Sequence, residues 1–293
     1  MGIKNLKTPL RYPGGKSKAI KTLAQWYPKV ITEYREPFIG GGSIAIDITK
    51  ANPDIPVWVN DLYVPLYNFW VQLRDRGKEL SERVREEKQR TLDEGDRDKV
   101  TAKAKELFDR YKAEIDTYDD FEKAVAFFIM NKCSYSGLTE NSTFSQTASN
   151  SNFSLVGADK LAKFSELIKN WKITNINYSE VIKAKGYADT FIFLDPPYDI
   201  KDFLYGKNRE MHKSFDHDLF ADHVSTCMHK FMITYNINDR LLDLYKNYNL
   251  KEWKLRYSMA HRGDKGTNEN IKTELLVTNY EVNPTNTLKE MLY

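Results

Sequence analysis

The junction Phe191-Ile192-Phe193-Leu194 followed at once by Asp195-Pro196-Pro197-Tyr198 constrains the fold more than any other stretch of the chain. Four apolar residues in a row read as a buried strand. Two prolines end it abruptly, because neither can donate to a ladder. Asp195 is therefore held at the C-terminal edge of a strand, on a backbone with little freedom, next to an aromatic ring. Val57-Trp58-Val59-Asn60, WKITNINYS (171–179), KFMITYN (230–236) and ELLVTNY (274–280) also read as strands.

Between these runs the chain changes character. KELSERVREEKQRTLDEGDRDKVTAKAKELFDRYKAEI (78–115) is nearly all charged and helix-forming, without a continuous apolar stripe, and reads as a solvated pair of helices. FEKAVAFFIMNKC (121–133) supplies an apolar helix ending near Ser134-Tyr135-Ser136-Gly137, with Gly137 the expected C-cap. The Ser/Asn/Thr-rich stretch 139–154 is too polar to pack a core and long enough for a functional or disordered loop. Strands on both sides of a helical stretch predict one α/β domain, 1–75 with 171–293, interrupted by a mostly helical module at 76–170.

Composition narrows the class. No apolar run approaches the ~20 residues of a membrane helix, and 29% charged residues predict a soluble protein without a membrane partner. MGIKNLKTPLRYPGGK lacks the apolar segment of a secretory signal, and Leu6 stands where a myristoylation site wants Ser or Thr. Cys133 and Cys227 make no disulfide framework, so a reducing cytosol is expected. The net charge of +3 neither requires nor excludes nucleic acid, because a local basic stripe can replace a global excess. The 18 Tyr and 15 Phe suit base stacking, although core packing is the commoner use of such rings.

A second constellation lies nearer the N-terminus. Arg35-Glu36-Pro37-Phe38-Ile39-Gly40-Gly41-Gly42-Ser43 follows one expected strand and opens an expected helix, and its glycines let a ligand approach the backbone. Asp61, at the end of the next strand, stands where a Rossmann-like unit accepts hydrogen bonds from ribose hydroxyls. Nicotinamide cofactors and S-adenosylmethionine both carry such a ribose. The contiguous glycines lack the spaced third glycine of a pyrophosphate loop, apart from Ala45, and so lean towards the phosphate-free nucleoside. Arg11-Tyr12-Pro13-Gly14-Gly15-Lys16 is a compact turn with a ring suited to an adenine or sulfonium and a cation suited to a carboxylate or phosphate.

In order, RYPGGK, EPFIGGGS, VND, a helical insert and FLDPPY resemble the Dam-type family of DNA adenine-N6 methyltransferases, from about Thr8 to Tyr280. FFIMNKCSYSGLTENS, MHKSF, ITYN and ELLVTNY resemble further segments of that family. The resemblance implies an α/β, Rossmann-like methyltransferase sheet with helices on both faces, interrupted by a helical target-recognition insert. It implies S-adenosylmethionine as methyl donor, double-stranded DNA as partner, no metal and no evident obligate protein partner. It also implies a cytoplasmic setting, bacterial or, for a phage-encoded enzyme, that of the host, with a place in restriction-modification. Asp195, Pro196, Pro197 and Tyr198 match the catalytic motif. Tyr12, Gly14, Gly15, Lys16, Pro37, Phe38, Gly40, Gly42, Ser43 and Asp61 match the cofactor site, with Asp195 on its border. Asn131, Lys132, Tyr135, Ser136 and Asn141 of the insert, with Lys201, Lys207, Arg209 and Lys213 after the catalytic turn, are the expected DNA contacts. GATC or a related short site is the expected target, although Thr139-Glu140 stand where GATC-specific members carry a basic residue.

The implied chemistry suits these residues. Adenine N6 is a poor nucleophile, because its lone pair is delocalised into the ring. Asp195 and the Pro196 carbonyl can accept its two amino hydrogens, and preorganised acceptors cost little reorganisation in the transition state. Tyr198 can stack on a base flipped out of the duplex. Cytosine-C5 transfer needs a Pro-Cys pair, but Cys133 follows Lys132 and Cys227 follows Thr226. Cytosine-N4 enzymes usually carry Ser in place of Asp195. An RNA or protein methyltransferase, a DNA-binding module without activity and a nicotinamide oxidoreductase are the remaining alternatives. His212, His217, His223, Cys227 and His229 crowd one stretch, but no paired spacing matches a zinc motif.

Overall fold

The computed structural model describes residues 5–137, 142–198, 215–256 and 271–282. The strand-like runs form one sheet: β1 (Glu33–Glu36), β2 (Val57–Asn60), β3 (Lys172–Thr174), β4 (Thr190–Leu194), β5 (Lys230–Asn236), β6 (Asn249–Arg256) and β7 (Ile271–Thr278). Their order is β3-β2-β1-β4-β5-β7-β6. Strands β3 to β5 in that order are parallel, and β7 runs antiparallel between β5 and β6.

Alternation along the strands divides the core between two faces. On one face Phe191 and Phe193 of β4, Met232 of β5 and Leu276 of β7 join a single cluster. It also holds apolar residues of α2 (Ser43–Ala51), α3 (Val64–Leu92) and α7 (Leu155–Ile168). On the other face Ile192 and Leu194, then Phe231, Ile233 and Tyr235, then Leu275 and Val277 pack with α8 (Tyr178–Lys183) and the helices His217–Ser225 and Asp239–Leu244. Helices thus cover both faces, as the resemblance implies.

Strand β1 departs from the apolar pattern. Glu33, Tyr34, Arg35 and Glu36 are all buried. Burial of these three ionisable side chains is tolerable because each is hydrogen-bonded. Arg35 donates to both Glu33 carboxylate oxygens at 3.0 and 2.9 Å, and to the carbonyls of Val181, Ala184 and Lys185, tying the end of α8 to the sheet. Glu36 accepts from Tyr34 Oη at 2.8 Å and from the Ala45 amide at 3.0 Å.

The charged run forms a pair of helices as expected, but each buries an apolar face. α3 runs through the expected boundary but kinks there, with Arg76 at φ −129°, ψ 30°. Beyond the kink Leu80 and Val84 are buried, as are Leu107, Phe108 and Tyr111 of α4 (Arg97–Glu114). The charge run hides this face because polar members share it. The Glu87 side chain, 4% exposed, lies among Arg83, Arg90 and Arg110 at 2.7, 3.2 and 3.3 Å. α5 (Asp120–Cys133) ends before the expected cap: Ser134 is extended, and Gly137 (φ 76°) closes the following short turn instead. The polar stretch after it is helical over residues 146–152. Ser145 caps α6 (Gln146–Asn152) and Ser154 caps α7, each accepting a backbone amide. Among the described residues no helix is long and apolar enough to cross a membrane.

Candidate active site

Strand order reverses between β1 and β4, the place where an open α/β sheet binds ligands beyond its strand ends. The glycine loop leaves the end of β1, Asp61 follows β2, and Asp195 follows β4. Three motifs distant in sequence therefore meet at one edge.

At the centre, Lys16 Nζ lies 2.7 and 2.6 Å from the two Asp195 carboxylate oxygens and donates to the Gly14 carbonyl at 3.0 Å. Lys16 is 3% exposed, and its charge is matched by Asp195 rather than by water. The same ammonium lies 5.1 Å from the Tyr198 ring centroid. Thr234 of β5 donates to Asp195 Oδ1 at 2.7 Å. The anion that Lys16 was expected to bind is thus met first within the protein.

The glycine loop is built for close approach. Gly40 and Gly42 adopt φ 48° and 67°, which disfavour any side chain. A Cβ on Gly40 would lie 2.8 Å from the Tyr12 ring, and one on Gly42 2.6 Å from Trp70. Tyr12 therefore packs on the loop itself. Trp70 also donates to the Gly40 carbonyl at 3.1 Å, and Ser43 is buried at the start of α2. Pro37 accepts from Asn60 at 3.1 Å, and the Phe38 ring joins Tyr178, Phe215 and Phe220 at 5.4–5.9 Å. Asp61 accepts from the Gly40 amide and the Tyr63 amide, both at 3.0 Å. Its carboxyl is enclosed although the residue keeps some surface, and burial pushes it up to about 6 against those backbone donors. Glu36 is raised further, to about 8, by burial and then by nearby Asp195, while Tyr34, Ala45 and Lys16 oppose the shift.

The expected DNA contacts divide. Asn131 is buried and its amide serves the fold: it accepts from the Arg11 amide at 2.9 Å and donates to the Arg11 and Gly137 carbonyls at 2.7 and 2.9 Å. It joins the N-terminal turn to α5. Lys132 lies over the Phe128 ring at 5.1 Å, and burial, with Arg11 and Lys160 adding repulsion, lowers its ammonium to about 7. Tyr135 is 64% exposed and stands open to a partner. Ser136 lies in the short turn beside it. Asn141, Lys201, Lys207, Arg209 and Lys213 lie outside the described residues, as do Thr139, Glu140 and His212. Cys227 falls beyond the helix carrying His223, so the two are not one turn apart on a helix face. Among the described residues no three His, Cys, Asp or Glu side chains form a metal-binding group.

Sequence reasoning missed Thr234, Glu36 and Glu274. Thr234 and Glu274 lie in segments noted only as strands and family echoes. Glu36 is the acid preceding the glycine loop, a position that the spacing rules for ribose and phosphate leave unassigned.

Residues 12–259 match the sequence model of the D12 class N6 adenine-specific DNA methyltransferases. The chain belongs to this family. It is similar to the type II methyltransferase M.MjaIII of Methanocaldococcus jannaschii, 24% identical over 293 residues, covering 94% of this chain and 99% of that protein. It is equally similar to the type II methyltransferase M1.LlaDCHI of Lactococcus lactis subsp. cremoris, 24% identical over 290 residues and covering 94% and 96% of the two chains. The protein is thus a site-specific DNA methyltransferase acting on adenine N6, and DNA is its substrate. Methyltransferases of this kind generally take the methyl group from S-adenosylmethionine. The residues present fit that donor better than a dinucleotide. The Ala45 amide in the first turn of α2 is already taken by Glu36, where a pyrophosphate would need free amides. Asp61 offers a carboxyl group at the β2 end suited to ribose hydroxyls, which both kinds of nucleoside carry.

Proposed function

We propose that the chain binds S-adenosylmethionine along the glycine loop and Asp61, flips an adenine out of duplex DNA and presents its N6 at Asp195-Pro196-Pro197-Tyr198. The observation that carries this reading is the fixed Asp195 carboxylate, gripped by Lys16 and Thr234 at the open end of the sheet. A carboxylate has about four lone-pair sites. Lys16 and Thr234 use two on Oδ1 and Lys16 one on Oδ2, which leaves acceptor capacity on Oδ2 for one adenine amino hydrogen. The Pro196 carbonyl, on a backbone restricted by the next proline, takes the other. Drawing on both hydrogens favours a pyramidal nitrogen whose lone pair can attack. When bound, S-adenosylmethionine supplies a methyl group on a sulfonium. The chain contributes alignment and a preorganised acceptor pair.

The flipped adenine lies on the Tyr198 face away from Lys16, and stacking returns roughly 1–3 kcal/mol of the unstacking cost. Residues 1–75 and 171–293 act as the catalytic unit and 76–170 as the unit reading a short site, GATC or related. Tyr135 and Ser136 border the vacated space, and Lys132 meets the phosphate backbone, which would restore its charge. Incubation with unmodified duplex DNA and labelled S-adenosylmethionine, followed by nucleoside mass analysis, tests this. Label at adenine N6 that Asp195→Ala reduces by about 10²–10³-fold is expected; undiminished transfer by that variant rejects the assignment.

A further inference from the structure

We infer that Glu274 is a positioning residue for methyl transfer: it sets where the tip of the Tyr198 ring lies, and so the place at which the ring receives the flipped adenine. The inference rests on the stacking role proposed above. Glu274 lies on β7, opposite Asn236 of β5 and Trp253 of β6, and is 1% exposed. A buried carboxylate on a central strand is costly unless a donor meets it. One donor here is the Tyr198 hydroxyl, which forms a short hydrogen bond to Glu274 Oε2.

The geometry divides the control of the ring between two groups. A tyrosine hydroxyl lies on the axis about which the ring spins, so a bond to it fixes where the ring tip lies and leaves the spin to other contacts. Lys16, 5.1 Å from the centroid, acts on the face, where attraction to the π system resists rotation. Tyr235 flanks the ring at 6.1 Å and is itself held by His217 at 2.8 Å. Lys16 also grips Asp195, so the acceptor for N6 and the stacking surface share one cation. Glu274 completes that arrangement from the far side of the sheet edge. Removing its acceptor takes this bond from the ring tip and leaves Asp195, held by Lys16 and Thr234, in place.

A double-mutant cycle in the full-length protein tests this, with Glu274→Leu, Tyr198→Phe and the pair. The readouts are single-turnover methyl transfer, fluorescence of a duplex carrying 2-aminopurine at the target adenine, and cofactor affinity. Each single variant is expected to lose about tenfold or more in methyl transfer, and the pair little beyond Tyr198→Phe alone. Cofactor affinity should stay within about twofold, and Glu274→Gln, which keeps an acceptor, should recover most of the loss. Independent losses that multiply in the pair overturn the inference, as does wild-type transfer by Glu274→Leu. Should Glu274→Leu not fold, Tyr198→Phe removes the same bond from the other side, and unchanged transfer by it is equally fatal. If the wild-type enzyme gives no fluorescence rise, the flipping reading fails and takes this inference with it. A normal rise with multiplying losses rejects the positioning role alone.

Discussion

Asp61 and Glu36 stand a few residues from the same loop, yet their burial leads to different predictions. In the proposed cofactor site Asp61 accepts ribose hydroxyls best when ionised, and burial raises it to about 6. Affinity for S-adenosylmethionine should therefore hold above that pH and weaken as pH falls through it, by up to about tenfold per unit. Calorimetric titration between about pH 5 and 8 checks this, and Asp61→Asn should bind weakly with no such dependence. Glu36 concerns stability. Its folded value of about 8 lies above the ordinary 4.5. Between the two the native state keeps a proton that the unfolded chain has lost, so stability falls as pH rises. The full span is worth about 5 kcal/mol. Between about pH 5 and 8.5 the urea midpoints of the wild type should fall more steeply than those of Glu36→Gln, in which only groups such as Asp61 and Lys132 still titrate. An unchanged slope in that variant would place the dependence elsewhere.

Single elements show what periodicity can and cannot reveal. β4 was legible because four apolar residues before Pro196-Pro197 admit little else. β1 was legible as a strand but not as a charged one, because only the fold brings Val181, Ala184 and Lys185 to the Arg35 guanidinium. The long polar stretch hid one helix and the cap of the next, whose signals were local: Ser145 and Ser154 are ordinary caps. Just beyond the α3 kink, Gly77 meets α7 so closely that a Cβ would fall 2.2 Å from Ser165 Cβ. Alanine offers about 1 kcal/mol of helix propensity, but overpacking of this kind typically costs 1–3 kcal/mol or more. Gly77→Ala should therefore lower stability by roughly 1–2 kcal/mol, read as a fall in the thermal midpoint. A gain would show that α3 and α7 separate freely.

At the scale of the whole molecule, the sheet and the insert share one core. Tyr34, Val57 and Phe191 belong to the same cluster as Leu107, Phe108 and Phe127, and α3 passes from one region to the other. Division by composition suggests two units, whereas shared packing couples their unfolding. Far-ultraviolet circular dichroism and tryptophan fluorescence should report coincident denaturation curves, because Trp26, Trp58, Trp70, Trp171 and Trp253 sit around the sheet while most helix lies in the insert. Separated midpoints would mean that the insert folds on its own.

The sequence by itself determined the class of fold, the family and the motifs that build the site, since strand endings, contiguous glycines and motif order are properties of adjacent residues. Tertiary structure decided which partners those motifs meet. Lys16 meets Asp195 across 179 residues of chain, Asn131 ties the N-terminal turn to α5, and Glu274 reaches Tyr198 from another strand. Such assignments depend on register and on which side chains share a face. One residue of slip along β7 would turn Glu274 away from Tyr198, and a single strand read alone does not specify that register.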